Sequence, residues 1–188
     1  MKRGFLISLL VLFLMAPLYS TGDFSISFTG NYLSPSDKDY KKTYSSGMFY
    51  PELKLGYEIA GNFSLWAGFG ILSAKGTTPV LKAEAKSSQK LMSCGVGYNG
   101  DFSQKLGYKV EIGAVYFRYK EEAMEIEVTG SAFGFRADVG VVFNITGTFF
   151  AELIAGYISA GDTVILEGED VEIKLGGFKG GVGIGIRF

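Results

Sequence analysis

TGSAFGFRADVGVVF, residues 129–143, alternates without a break. Phe133, Phe135, Ala137, Val139, Val141 and Phe143 fall on one side, and Gly134, Arg136, Asp138 and Gly140 on the other. Successive side chains of a strand point to opposite faces, so this stretch reads as a strand with one apolar face and one face of glycine and charge. The apolar face carries no charge, and the polar face carries one cation and one anion two residues apart.

The same grammar continues in both directions. Alternating segments span 23–33, 49–60, 62–73, 89–99, 104–118, 148–159 and 176–188, which with the quoted stretch makes eight. Short connections at Ala60-Gly61-Asn62, around Asn99-Gly100-Asp101 and at Asn144 to Gly147 alternate with long ones at 34–48, 74–88, 119–128 and 160–175. Asn-Gly between alternating segments is a strong hairpin signal. No segment beyond residue 22 shows a helical period. The expectation is an all-β fold: a closed antiparallel up-and-down transmembrane β-barrel of eight strands, with tight turns at one end and long loops at the other. An even strand number puts both termini at the tight-turn end.

Residues 1–22 stand apart. Lys2 and Arg3 precede the apolar run FLISLLVLFLM (5–15), Pro17 breaks it, and Ser20-Thr21-Gly22 offers a small-residue cleavage site. This is the three-part pattern of a secretory signal peptide, leaving 23–188 as the barrel domain. The run is too short to span a bilayer as a helix. No later run is long enough either, so a mature chain that meets a membrane crosses it only as a closed barrel.

Composition excludes several classes. The 188 residues include 27 Gly, 16 Phe, 11 Tyr, one Trp, one Cys and no His, with 18 basic against 19 acidic side chains. An apolar content of 47% argues against disorder, and a net charge of −1 against a nucleic-acid surface. A single Cys forms no intrachain disulfide, and without His neither imidazole catalysis nor a Cys/His zinc site has material.

Alternation alone leaves two barrels open: a soluble one with the apolar face inward, and a membrane one with it outward. The polar face decides between them. It is loaded with Gly, which suits a crowded interior and would weaken a water-facing strand. Its charges also match in number: Glu52, Glu58, Glu111, Asp138 and Glu152 against Lys54, Lys109, Arg136, Lys179 and Arg187. An enclosed lumen needs such pairing, because an unpaired buried charge is costly. The apolar face has Tyr32, Tyr57, Tyr98, Tyr108, Phe143, Phe149, Tyr157 and Phe188 at its margins, where the aromatic girdles of a membrane barrel lie. Cys94 falls on this face as a packing residue.

On these features the chain resembles the small eight-stranded outer-membrane barrels of the OmpA transmembrane-domain, OmpX and OmpW type. The most specific piece is GVGIGIRF, residues 181–188. The resemblance implies that Val182, Ile184, Ile186 and Phe188 form the signal read by the barrel-assembly machinery. It also implies export through the periplasm to the bacterial outer membrane, among outer-membrane lipids and lipopolysaccharide, with no cofactor. With the chain ending at Phe188, a peptidoglycan-binding domain of the OmpA kind is not expected. Barrel enzymes of this size, the lipid A acylases and deacylases and the outer-membrane proteases, imply a catalytic His. This chain departs from them there, so no catalytic or metal-ligating residue is assigned.

The loops carry what remains. The first two hold Lys38, Lys41, Lys42, Lys75, Lys82, Lys86 and Lys90, while the last two are acidic. The basic half is a candidate surface for lipopolysaccharide phosphates or a polyanionic partner; solvated loops of mixed charge are the plainer reading. Strand-like alternation in 123–128, and in 163–166 with 171–175, suggests that the last two hairpins extend beyond the membrane. The expected role is non-enzymatic: membrane integrity, or adhesion and partner binding through the surface loops. A narrow channel or transporter for small solutes, and a soluble secreted barrel binding an apolar ligand, are the alternatives. Neither a ligand nor an oligomeric state follows from the sequence.

Overall fold

A computed structural model describes residues 24–44, 47–79, 82–123, 126–166 and 169–188. The expected signal peptide lies outside the described residues. The elements are β1 (Phe24–Pro35), α1 (Lys38–Tyr44), β2 (Met48–Ala60), β3 (Phe63–Thr77), β4 (Glu84–Asp101), β5 (Leu106–Ala123), β6 (Ile126–Asn144), β7 (Phe149–Leu166) and β8 (Glu169–Arg187). Each strand pairs antiparallel with its chain neighbours, and β8 pairs back onto β1 through registers such as Ile26↔Ile186, so the sheet closes. The eight-stranded up-and-down barrel expected from the alternation is the fold found.

Three local expectations are corrected. The region 74–88 is not a loop: β3 and β4 stay paired to Thr77↔Glu84, and β5 and β6 to Ala123↔Ile126. The first loop contains α1, which no period announced. Its two turns are too short for one, but the Asp37 carboxylate accepts the backbone N–H groups of Asp39 and Tyr40 at 2.8 Å each, an N-cap. Finally, Asn99, Gly100 and Asp101 are the end of β4, not the turn, and face Lys109, Tyr108 and Gly107. The chain reverses at 102–105, where the Ser103 hydroxyl accepts the Leu106 N–H at 3.2 Å. The Tyr108 ring packs where a Cβ on Gly100 would stand, so the position suits glycine.

The barrel wall is uneven in height. Pairing of β2 with β3 ends at Glu52↔Gly70 and that of β6 with β7 at Phe133↔Gly161. A four-stranded wall, β3 to β6, and the β7–β8 hairpin therefore stand above the rest at the loop end. The hairpin leaves the wall where β1 pairing stops at Pro35↔Gly177, and Gly176 there has φ +96°, which favours glycine.

The faces fall as the charge argument requires. Phe28, Leu53, Val96, Ile112, Val139, Leu153 and Ile184 are exposed around the outside, while Glu52, Lys54, Arg136, Asp138 and Lys179 are buried within. Aromatic contacts ring the outside at two levels: Phe63–Tyr98 and Phe24–Phe188 near the turns, and Tyr116–Phe133 and Tyr157–Phe178 towards the loops. Val139 sits between Val110 and Ala155 within this band and is 55% exposed. Val139→Arg is expected to lower stability in a bilayer by about 2–4 kcal/mol. Urea unfolding in lipid vesicles measures it; an unchanged midpoint would mean the faces are reversed.

Candidate functional site

The lumen is the most organised region of the molecule, and it has three levels. In the middle, strand alternation turns Glu52 and Lys54 of β2, Lys109 and Glu111 of β5, Arg136 and Asp138 of β6, Glu152 of β7 and Lys179 of β8 inward. The Arg136 guanidinium is forked onto Glu52: one nitrogen donates to Oε1 and also to Ser93 Oγ at 3.0 Å, and the other donates to Oε2 at 3.1 Å. Its Nε donates to Asp138 at 2.7 Å. Lys179 lies 3.0 Å from Asp138 and 3.6 Å from Glu52. Towards the turns, Lys54 donates to Glu111 at 2.5 Å and Lys109 donates to Glu152. The Trp66 ring separates the two groups, with Arg136 5.1 Å and Lys54 5.6 Å from its centroid. Each group contains two cations and two carboxylates, so each is neutral.

Eight of the ten lumen charges singled out in the sequence are thus brought together. Glu58 and Arg187 are not: both are half-buried at the turn end, where Glu58 accepts from Asn99 at 3.4 Å and Arg187 stacks over Phe150. They border a small polar cavity of about 60 Å³ shared with Ser25, Ser64 and Asn99.

Glycine makes this density possible. A Cβ on Gly68 would meet the Glu52 carboxylate and Ser93 Oγ, and one on Gly113 would meet Trp66 and the Cys94 backbone. At both positions a neighbour's side chain takes up the space a Cβ would need.

Towards the loops the lumen changes character. Leu33, Met48, Tyr50, Leu72, Leu91, Val115, Phe117, Ile158 and Leu175 form one buried apolar cluster. The charges and glycines of the inward face gave no sign of this aliphatic plug. Over it lies α1, whose Tyr40 and Tyr44 rings are 4.5 Å apart. Tyr40 donates to Ser87 at 2.9 Å, and Tyr44 donates to Glu121 at 3.0 Å. Burial pushes the Tyr40 phenol up to about 12. It also raises the Glu121 carboxyl above the ordinary glutamate range, with help from Asp37 and against the hydrogen bonds from Tyr44 and Ser87.

The basic loop residues scatter. Lys38, Lys41 and Lys42 lie on α1, and Lys42 pairs with Asp39 at 2.7 Å. Lys82 lies in the β3–β4 turn with φ +54°. Lys75, Lys86 and Lys90 are on strands and point outward. Val182, Ile184 and Phe188 are exposed on the outside of β8, with Ile186 half-buried beside them. Among the described residues no group of three or more Asp, Glu, Cys or His is arranged to hold a metal ion.

The model of the outer membrane protein beta-barrel domain family matches residues 5–188. The chain belongs to this family. This outer-membrane barrel is similar in fold to the outer membrane protein OprG from Pseudomonas aeruginosa, with a TM-score of 0.69 at 11% identity over 89% of this chain and 96% of that one. Outer membrane protein W of E. coli gives 0.60 at 15% identity over 90% and 100%. Ail, the attachment invasion locus protein of Yersinia pestis, in complex with the heparin analogue sucrose octasulfate, gives 0.54 at 15% over 89% and 97%. No curated relative matches at a significant level. The tight turns therefore face the periplasm, and α1 with the tall strands faces the exterior.

Two outcomes follow from this interior. Arg136→Met leaves Glu52 and Asp138 with one cation between them, and should cost about 3–5 kcal/mol in vesicle unfolding; adding Glu52→Gln should recover part of it, and strict additivity of the two would contradict the pairing. Glu121 is held above its ordinary value, so its contribution to docking α1 is fully present below that value and is lost as pH rises through the raised one. Amide protection of α1 should therefore rise on acidification, and Glu121→Gln should flatten the profile. Protection that falls with acid in the wild-type protein would contradict this.

Proposed function

We propose that this barrel has a non-enzymatic role in the outer membrane, supporting the bilayer's integrity and presenting its extracellular wall and cap helix to a surface partner. The observation that carries this reading is the filled lumen. The ion pairs occupy the middle, the apolar cluster fills the exterior half, and α1 roofs it. An eight-stranded barrel has an interior only wide enough for side chains, and here they use it. The Lys54–Glu111 and Lys109–Glu152 pairs line the periplasmic cavity, and the packing of the described residues above them supports a closed lumen over a continuous solute path.

The surface role draws support from shape. The β3–β6 wall and the β7–β8 hairpin stand clear of the membrane band, and the wall exposes charge to the medium at Lys75, Glu84 and Lys86. Ail, of similar fold, was crystallised with a heparin analogue, which fits a barrel wall offered to a polyanion. The lipid-facing placement of Val182, Ile184 and Phe188 supports reading the last strand as the assembly signal.

Planar-bilayer recording of the refolded chain tests the role. The expected result is a silent barrel. Stable openings of uniform size would overturn it in favour of a channel.

A further inference from the structure

Strand β2 is weakly held in register by its own neighbours. On the inward side Glu52 and Lys54 face Gly70 and Gly68 of β3, and Thr29 and Ser27 of β1. The regular ladder with β3 runs only from Glu52↔Gly70 to Glu58↔Ser64 before an irregularity, whereas that of β4 with β5 runs from Ala85↔Ala123 to Asp101↔Gly107. Glycine opposite a strand offers no side chain to match, so alignment there is weakly specified. A slip by one residue is still excluded, because it would turn Leu53 and Leu55 into the lumen. A slip by two keeps every face, and the alternation does not exclude it.

Charge across the lumen does. Among the described residues β2 is the only strand that serves both ion groups: Glu52 joins Arg136, Asp138 and Lys179, while Lys54 joins Lys109, Glu111 and Glu152. Without β2 the first group keeps two cations and one carboxylate, and the second keeps one cation and two carboxylates. Strands β1, β3 and β4 bury no charged side chain among the described residues, so they do not make up the difference. β2 brings a carboxylate to the first group and an ammonium to the second from one face, about 7 Å apart along the strand. Slipped one way, Lys54 stands in the place of Glu52 beside Arg136 and Lys179. Slipped the other way, Glu52 stands in the place of Lys54 beside Glu111. Either slip buries like charges together, which a low-dielectric interior penalises heavily.

We infer that Glu52 and Lys54 are a register code for barrel closure: the β1–β2 hairpin completes the wall in the one alignment that neutralises both ion groups at once. Their pairing thus selects an alignment as well as stabilising it. The cap helix depends on the same selection. α1 ends at Tyr44, which donates to Glu121 at 3.0 Å, and β2 begins at Met48. A two-residue slip would carry Met48 about 7 Å along the wall and draw Tyr44 away from Glu121. The device works whatever partner the exterior meets.

The test refolds the full chain into lipid vesicles and reads closure by heat-modifiable mobility. Alignment is read by a disulfide between Leu55→Cys and Ala67→Cys, which face each other across β2 and β3. Cys94→Ser is included throughout, because Cys94 also faces Ala67. The parent chain should close and cross-link. The charge swap Glu52→Lys/Lys54→Glu keeps composition and net charge, yet its cross-link should fall roughly tenfold or more, as the barrel stays open or closes in a slipped alignment. Adding Glu111→Lys and Lys179→Glu makes both groups neutral again in the original alignment, and should restore closure and cross-link together. A swapped chain that closes and cross-links like the parent would overturn the code. So would a fourfold variant that closes and cross-links no better than the swap, because the charges would then contribute stability without choosing the alignment.

Discussion

The fork between Arg136 and Glu52, braced by Asp138 and Lys179, is the constraint around which the barrel is arranged. These four side chains come from β2, β6 and β8, on different sides of the wall, and meet in a space from which water is largely excluded. A guanidinium with a full set of carboxylate partners tolerates such burial; the same group with one partner missing does not. Charge matching in the lumen therefore fixes which face of β2, β5, β6, β7 and β8 points inward. It accounts for glycines at Gly68, Gly113 and Gly156, where a Cβ would displace Glu52, Trp66 or Asp138. The apolar exterior is the other side of the same alternation.

The two halves of the wall follow opposite rules. Within the membrane band β4 turns Ser93 and Gly95 inward and Met92 and Cys94 outward; two residues higher it turns Leu91 inward and Lys90 outward. On β5 the exchange falls between Glu111 and Val115 inside and between Tyr116 and Arg118 outside. Above the bilayer the wall behaves as a water-soluble barrel with an apolar core, which the helix α1 completes. The apolar plug and the ion network thus belong to two solvents, and together they close the lumen. Exposed Lys90 and Arg118 are the outer side of the same exchange.

That exchange explains what the sequence made legible. Alternation such as Phe133 to Phe143 was readable because lipid and lumen impose opposite polarity on adjacent residues. Arg136 and Asp138 stood out as charges in an otherwise apolar and glycine-rich run. Where the polarity inverts, period two persists but its sense flips, so 84–88 and 119–123 read as polar loops although they are paired strand. The partner of each charge was not readable either: Glu52 and Arg136 are 84 residues apart, and only the registers of the closed barrel bring them together. Helix α1 depends on a side-chain cap and on contacts with β4 and β5, neither of which leaves a period. Glu58 and Arg187 share the inward face of the network but sit too near the turn end to join it.

The orientation of the wall underlies all of this, and the single tryptophan reports on it. Trp66 is buried in the lumen, whereas Leu153 lies on the outer face within the apolar band and is 60% exposed. In vesicles of lipids brominated along their acyl chains, Trp66 fluorescence should be little quenched. A tryptophan introduced as Leu153→Trp in a Trp66→Phe background should be strongly quenched. Strong quenching of Trp66 with a protected residue 153 would contradict the account, because it would put the charges against the lipid and the apolar band inside.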